Sequence, residues 1–339
     1  MKEEQLTLMD ALLANSRRKK TSKAVATLSS IEELIDWAGL VEIVKPMDRT
    51  QEGRGGRPPI GYEIKLKMLF LQNTFNLSDE ELEDQLIDRL SFQQFVGLRY
   101  DQEIPDFTTF WHFKEGLVKN GMMDAIFEWI VGQIEERGLI LKKGTIVDAT
   151  IIQSGNRYIN DERRAKLEEN PSRQIDTEAR STKKNGKKYF GYKGHIGVDA
   201  ESKIIRKRAF TPAQVHDLKA MESIISGDEK SIFGDKNYRR KADKKTAREL
   251  GIYYGVLDKK SRGTKLSNRQ LARNKKKSRV RIAVEHPFAF MRKKLKVTVL
   301  GARNKMRNAL RFDMWCIVYN VLRTSFLLKK RQSPKPICA

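Results

Sequence analysis

Over the first 140 residues apolar side chains recur every three or four positions, the spacing that gives a helix one buried face. The run IEELIDWAGLVEIV follows Ser30, which with Glu33 is spaced as a capping box. The run EELEDQLIDRLSFQQFVGL follows Ser78, which with Glu81 makes a second such pair, and IKLKMLFLQNTF between the two runs carries its own apolar stripe. The segment DFTTFWHFKEGLVKNGMMDAIFEWIVGQIEERG reads as two further helices broken near Asn120-Gly121. A Gly/Arg/Pro stretch, EGRGGRPPIGY, separates the first helices from the next group.

At Gly144 the period shortens. GTIVDATI is a β-branched run of the kind found in buried strands. The stretch 154–188 is polar and charged and reads as an extended or mobile insertion. YKGHIGVDA and KIIRKRAF then predict two strands joined at Glu201-Ser202. Beyond them AQVHDLKAMESII predicts a helix, SIFGD a short strand, RKADKKTAREL a helix and IYYGVL a strand. VRIAVEHPFAFMRKKL and FDMWCIVYNVLRTSFLL predict the closing helices. The expected class is mixed α+β: a helical domain over 1–140, an α/β domain with a mixed sheet flanked by helices over 141–330, and a tail over 331–339.

Charge narrows the function. The 67 Lys plus Arg outnumber the 43 Asp plus Glu, a net charge of +24. Such an excess repels itself and points to a polyanionic partner, nucleic acid first, with a ribosome or an anionic membrane surface as alternatives. No apolar run approaches the ~20 residues of a membrane helix, and the N-terminus has no apolar signal core. With two Cys, Cys316 and Cys338, no disulfide framework can be built. A cytoplasmic, nucleoid-associated protein is expected. The four His show no zinc spacing.

Three acids stand out by context. Asp148 ends an apolar strand, Asp235 follows the apolar SIF through Gly234, and Glu285 lies in a helix. A carboxylate on an apolar strand is costly unless hydrogen-bonded or bound to a cation, and strand ends are where open α/β sheets place ligands. Eighty-six residues separate the first pair and forty-nine the second, so a local calcium loop is excluded. Taken singly, an Asp at a strand end is more often a turn or cap residue, and a Glu in a helix is usually on a solvated face.

GTIVDATI, FGDKNYR and R-x-x-x-E-H-P-F resemble the three signature blocks of the DDE transposases of bacterial insertion sequences, specifically the insertion-sequence-five family. GRPPIGYEIKLKMLFLQNTFNLSDEELEDQLIDRLSFQQFVGL with IPDFTTFWHF resembles that family's N-terminal domain, and GHIGVD and VHDLKA its intervening blocks. The resemblance spans roughly Arg57 to Leu322. It implies a ribonuclease-H-like catalytic domain in which Asp148, Asp235 and Glu285 are catalytic and hold two Mg2+ ions, with Mn2+ as a substitute. It further implies double-stranded DNA as partner, at terminal inverted repeats and at a target site, and a homodimer holding two element ends. Activated water would free a 3′-hydroxyl, which then attacks target DNA; carboxylate oxygens suit the hard cations of such chemistry. Of the family's Tyr-Arg-Glu-Lys signature, Arg281 and Glu285 match, Arg292 keeps the charge of the Lys, and Ser278 replaces the Tyr. Arg281 and Glu285 are four apart and share a helical face; Pro287 kinks or restarts that helix.

The remaining candidates are contacts and supports. The segment Lys259 to Arg281 holds eleven Lys or Arg. Within it Lys275, Lys276 and Lys277, together with Lys236 and Arg239, are read as phosphate contacts. Arg54 or Arg57 either enters a minor groove or belongs to a linker. His216 and Asp217 either sit near the metal site or cap a helix. His195 and Asp199 share a strand face, Asp199 either orienting a group near Asp148 or making a turn. A catalytically inactive, domesticated DNA-binding relative and a ribosome-associated RNA-binding protein are the rival readings.

Overall fold

The computed structural model describes residues 22–47, 60–99, 102–169, 175–184, 186–260, 263–297 and 299–332. Arg54, Arg57 and Cys338 lie outside the described residues.

Helices span Lys23–Glu32, Trp37–Val44, Tyr62–Phe75, Asp79–Asp88, Leu90–Val96, Phe107–Lys119 and Met122–Glu136. The first boundary differs from the sequence pattern. Ser22 rather than Ser30 is the cap, accepting from Val25 N at 3.2 Å. Ser30 sits inside the helix, its hydroxyl donating to Ala26 O at 3.0 Å. Asp36, a strong N-cap residue, starts the next helix by accepting from Gly39 N at 3.2 Å. The box at Ser78 forms in both directions, with Glu81 N donating to Ser78 Oγ at 3.1 Å and Ser78 N to Glu81 Oε2 at 2.7 Å. The helix it opens ends at Arg89, whose backbone is extended, so EELEDQLIDRLSFQQFVGL makes two helices instead of one.

The second half is built on a mixed sheet. Its strands are β1 (Thr145–Ser154), β2 (Arg180–Lys184), β3 (Lys187–Asp199), β4 (Ile205–Pro212), β5 (Ser231–Gly234), β6 (Tyr253–Tyr254) and β7 (Val299–Leu300). The order is β2-β3-β1-β5-β6, with β4 on β3 and β7 on β1. β1 runs antiparallel to β3 and parallel to β5. β1 is longer than GTIVDATI suggested, so Asp148 lies within it rather than at its end. The described residues of the stretch 154–188 carry a helix, Asp161–Glu169, and β2, which joins the sheet.

Two glycines of GHIGVD explain how both faces are covered. Gly194 and Gly197 point to opposite faces. A Cβ at Gly194 would fall 2.3 Å from the Phe312 ring, and one at Gly197 would fall 1.9 Å from Ile224 O. The segment predicted as a helix from Ala213 to Ile225 instead forms two short 3-10 turns, Asp217–Ala220 and Glu222–Ile224, the second pressed against β3. Gly197→Ala is therefore expected to cost about 1–3 kcal/mol through overpacking. Urea unfolding checks it as a lower midpoint at unchanged m.

The helix Lys305–Gln332 holds the halves together. Residues Met314 to Val321 are all buried, as in a helix surrounded on every side. Asn320 pairs with the β4 backbone, donating to Ile205 O and accepting from Ile205 N, each at 2.8 Å. One buried apolar cluster runs from Leu28 to Val321 through this helix. Cys316 is buried within it. Among the described residues no helix is long and apolar enough to cross a membrane.

Candidate active site

The β-branched residues of β1 bury its first half, and Asp148 follows where the strand begins to face a cleft. β5 runs beside β1 in parallel, Val147 opposite Gly234, so Asp235 emerges next to Asp148 although 86 residues intervene. Asp235 then opens a 3-10 turn over Lys236–Tyr238. The third element arrives from the basic helix Asn268–Arg281, which ends in a 3-10 turn over Ile282–Val284 before the helix Glu285–Lys293 begins. Arg281 and Glu285 are thus on two successive helices rather than one. Pro287 falls in the first turn of the second, where its missing amide costs nothing.

The Arg281 guanidinium spans the two aspartates, with Nη2 3.4 Å from Asp148 Oδ2 and Nη1 3.7 Å from Asp235 Oδ1. Its Nε is buried with no partner. Burial pushes the Asp148 carboxyl above the usual carboxylate range, and Asp235 adds to the rise. The Arg281 charge and the Ala149 amide, which donates to Asp148 Oδ1 at 2.9 Å, oppose it. Glu285 and Arg292 line the same cleft, which measures about 500 Å³. Glu285 is exposed.

The chemistry of the donors fits a hard divalent cation at Asp148 and Asp235. These are two carboxylates already sharing one positive group, and oxygen is what such ions select. Three ligands are not gathered: among the described residues no group of three or more His, Cys, Asp or Glu is placed to hold a metal. Glu285 stands on the wall of the cleft outside such a group.

The other candidates separate. Asp217 lines the cleft and pairs with Lys193 Nζ at 2.8 Å, while His216 is exposed and caps the 3-10 turn through Nδ1, accepting from Leu218 N at 3.2 Å. His195 is buried, with Nε2 2.8 Å from Thr211 Oγ1. Burial lowers its pKa to about 4, so it is neutral at physiological pH and lies off the cleft lining. Asp199 is the turn residue of the β3–β4 connection, accepting from Ser202 N and Oγ, each at 2.8 Å. Lys275, Lys276 and Lys236 are exposed. Lys277 is not: its Nζ donates to Val256 O at 2.8 Å and sits 3.6 Å from Asp258, committed to anchoring the basic helix. Arg239 is held by the same Asp258.

Several groups of the cleft went unnoticed in the sequence. Lys193 is on β3, Thr182, Lys183 and Lys184 are on β2, and Asn237 is two residues beyond Asp235. Tyr238 is buried beneath, its hydroxyl unpartnered and its pKa pushed far up by burial and by the charges of Asp217, Asp148 and Asp235. Asn237 and Tyr238 fall within FGDKNYR, so adjacency to Asp235 was an available signal; β2 offered none.

Comparison with known proteins gives two family matches. The family described as "Transposase DDE domain" matches residues 141–321, and "Transposase domain (DUF772)" matches residues 15–116. Among solved structures, a cryo-EM structure of the piggyBac transposase synaptic complex with hairpin DNA is similar at a TM-score of 0.43 and 11% identity, covering 91% of this chain and 74% of that one.

Proposed function

From a chain that belongs to the DDE transposase family, we propose a working transposase of the insertion-sequence-five type. It would bind the terminal inverted repeats of its element, cleave DNA at the ends by metal-assisted hydrolysis and join the 3′-hydroxyl ends to target DNA. The observation that carries the reading is the placement of Asp148 and Asp235. Two acids far apart in the chain are brought side by side by parallel strands and share one guanidinium in a cleft walled by cations. The sheet order, with β1 antiparallel to β3 and parallel to β5, supports a ribonuclease-H-like arrangement.

Asp148 and Asp235 would hold Mg2+, or Mn2+ in its place, with Glu285 joining from the cleft wall. When bound, such ions stabilise charge on the attacking and leaving oxygens of a phosphodiester. The chain's own cations do the rest. Arg281 and Arg292 face the same space and would orient the scissile phosphate, and the exposed Lys275 and Lys276 would follow the DNA backbone. A homodimer would hold two ends at once.

The test is purified protein with magnesium and DNA carrying the inverted repeats that flank its gene. Nicks leaving 3′-hydroxyls at the ends are expected. Specific end binding without any nicking would favour an inactive DNA-binding relative, the reading favoured by the lack of a three-acid cluster among the described residues. Tighter binding to RNA than to end DNA at physiological salt would overturn both.

A further inference from the structure

We infer that the β2–β3 hairpin is a binding arm for one unpaired DNA strand leaving the cleft, with lysines on its phosphates and Tyr158 stacked on a base. The inference rests on the reading of the cleft as a DNA-cleaving site. Its starting point is an electrostatic oddity. In the hairpin register Lys183 lies opposite Lys188 and Lys184 opposite Lys187. Like charges directly opposed across two strands are destabilising. All four lysines are exposed, and none has a carboxylate partner among the described residues. The fold holds this charge in place without neutralising it, which is what a polyanion requires.

Lysines on a terminal strand also guard a free sheet edge against pairing with other chains, and β2 is terminal. That purpose does not account for the aromatic groups beside them. Tyr158 is 61% exposed, and its ring meets Phe190 at 5.6 Å and 84°. Tyr158, Tyr189 and Phe190 line a groove together with Lys183 and Lys188. An exposed aromatic group next to a free edge works against edge protection. Aromatic faces interleaved with cations are instead the make-up of single-strand binding surfaces, because a base offers its face only when it is unpaired. A duplex would need the lysines alone.

Position completes the case. Thr182 and Lys183 line both this groove and the cleft that contains Asp148 and Asp235. A strand whose phosphate sat in the cleft would meet the groove next, with no intervening segment to cross.

The experiment uses the full chain without divalent ions and a fluorescein-labelled oligothymidine of about 15 nucleotides, within the span such sites cover. A duplex of the same length serves for comparison, and anisotropy is followed across salt concentrations. Tyr158→Ala is expected to weaken oligothymidine binding about 5- to 100-fold at unchanged salt slope, with duplex binding within about twofold and Tyr158→Phe close to the original protein. The double variant Lys183→Ser/Lys188→Ser is expected to flatten the salt slope by about 1.4, two single-strand phosphates, without lowering the melting temperature. Unchanged oligothymidine affinity for Tyr158→Ala, or equal losses for single strand and duplex, would overturn the inference. So would a lysine variant that aggregates with its affinity intact, which assigns the lysines to edge protection. The assay holds no cleavable end and no divalent ion, so its outcome is independent of the cleavage test.

Discussion

Asp148→Ala is expected to lower end cleavage by about 10³-fold or more while end binding stays within about twofold. The magnitude follows from the role proposed for the carboxylate. Stabilisation of charge on a reacting phosphoryl oxygen is worth several kcal/mol, and each 1.36 kcal/mol is tenfold in rate. Asp148 is the acid whose loss disturbs the site most. It is more enclosed than Asp235, with 18% against 28% of the side chain exposed, and it is the partner nearer to Arg281. Removing it leaves the guanidinium with Asp235 alone at 3.7 Å, so the remaining carboxylate is drawn to arginine rather than to an added cation. Asp148→Asn keeps the shape and should lose nearly as much, which separates charge from packing. Both variants are compared with the original protein on end-carrying DNA in magnesium, with binding measured in parallel without metal. Cleavage by Asp148→Ala at the rate of the original protein would remove the carboxylate from the chemistry. Loss of binding in step with cleavage would assign Asp148 to structure instead.

Much of this site was legible before the fold, and the reasons differ by residue. Asp148 interrupts a β-branched run, and Asp235 follows a short apolar strand through glycine. Both signals survive because buried strands demand continuous apolar sequence, in which a carboxylate is conspicuous. Glu285 and Arg281 came from the family's spacing; a 3-10 turn divides the helix expected to carry both, yet both line the same cleft, as their four-residue spacing argued. β2 was hidden because a Lys-rich strand has no apolar alternation, and it is held by pairing with β3, a tertiary effect no local window contains. Lys277 failed for a related reason. It sits in a run of basic residues with Lys275, Lys276 and Arg279, while its carbonyl and carboxylate partners, Val256 and Asp258, lie on the chain about twenty residues away. The capping pair at Ser78 was correct and the one at Ser30 was not, although the two have the same spacing. Ser22 and Asp36 are good N-caps on either side of Ser30, and they set the boundaries.

Asp313→Leu is expected to destabilise the protein by about 3–5 kcal/mol at neutral pH, the cost of leaving a buried charge without its partner. Arg208 on β4 reaches two helices, Lys305–Gln332 and Met122–Glu136. Its Nε donates to Asp313 on the helix Lys305–Gln332 at 2.8 Å, Nη2 donates to Met123 O and Asp124 Oδ1 at 3.0 and 2.9 Å, and the guanidinium lies 4.1 Å from the Phe127 ring centroid. Its side chain is 7% exposed, whereas Asp124 is 86% exposed and too well hydrated to replace Asp313. Arg208→Met/Asp313→Leu removes both charges and should recover most of the loss, since apolar replacements of a buried pair are often neutral or better. A double-mutant cycle in urea measures the coupling. The same pair sets a pH dependence. Burial, helped by Asp124, raises the Asp313 carboxyl from 3.8 to about 6, in spite of Arg208. The folded state then holds the proton more tightly than the unfolded chain, so this group's contribution is full below pH ~4 and is lost as pH rises through ~6, about 3 kcal/mol in all. The difference in stability between the original protein and Asp313→Asn isolates it from the other carboxylates. That difference should fall from pH 4 to 7 and be flat above. A difference that grows over the same interval would mean that the attraction of Arg208 outweighs desolvation, with the carboxyl held below its ordinary value. In that case the joint between the N-terminal helices and the sheet would be secured by the ion pair itself and not by the apolar surroundings that enclose it.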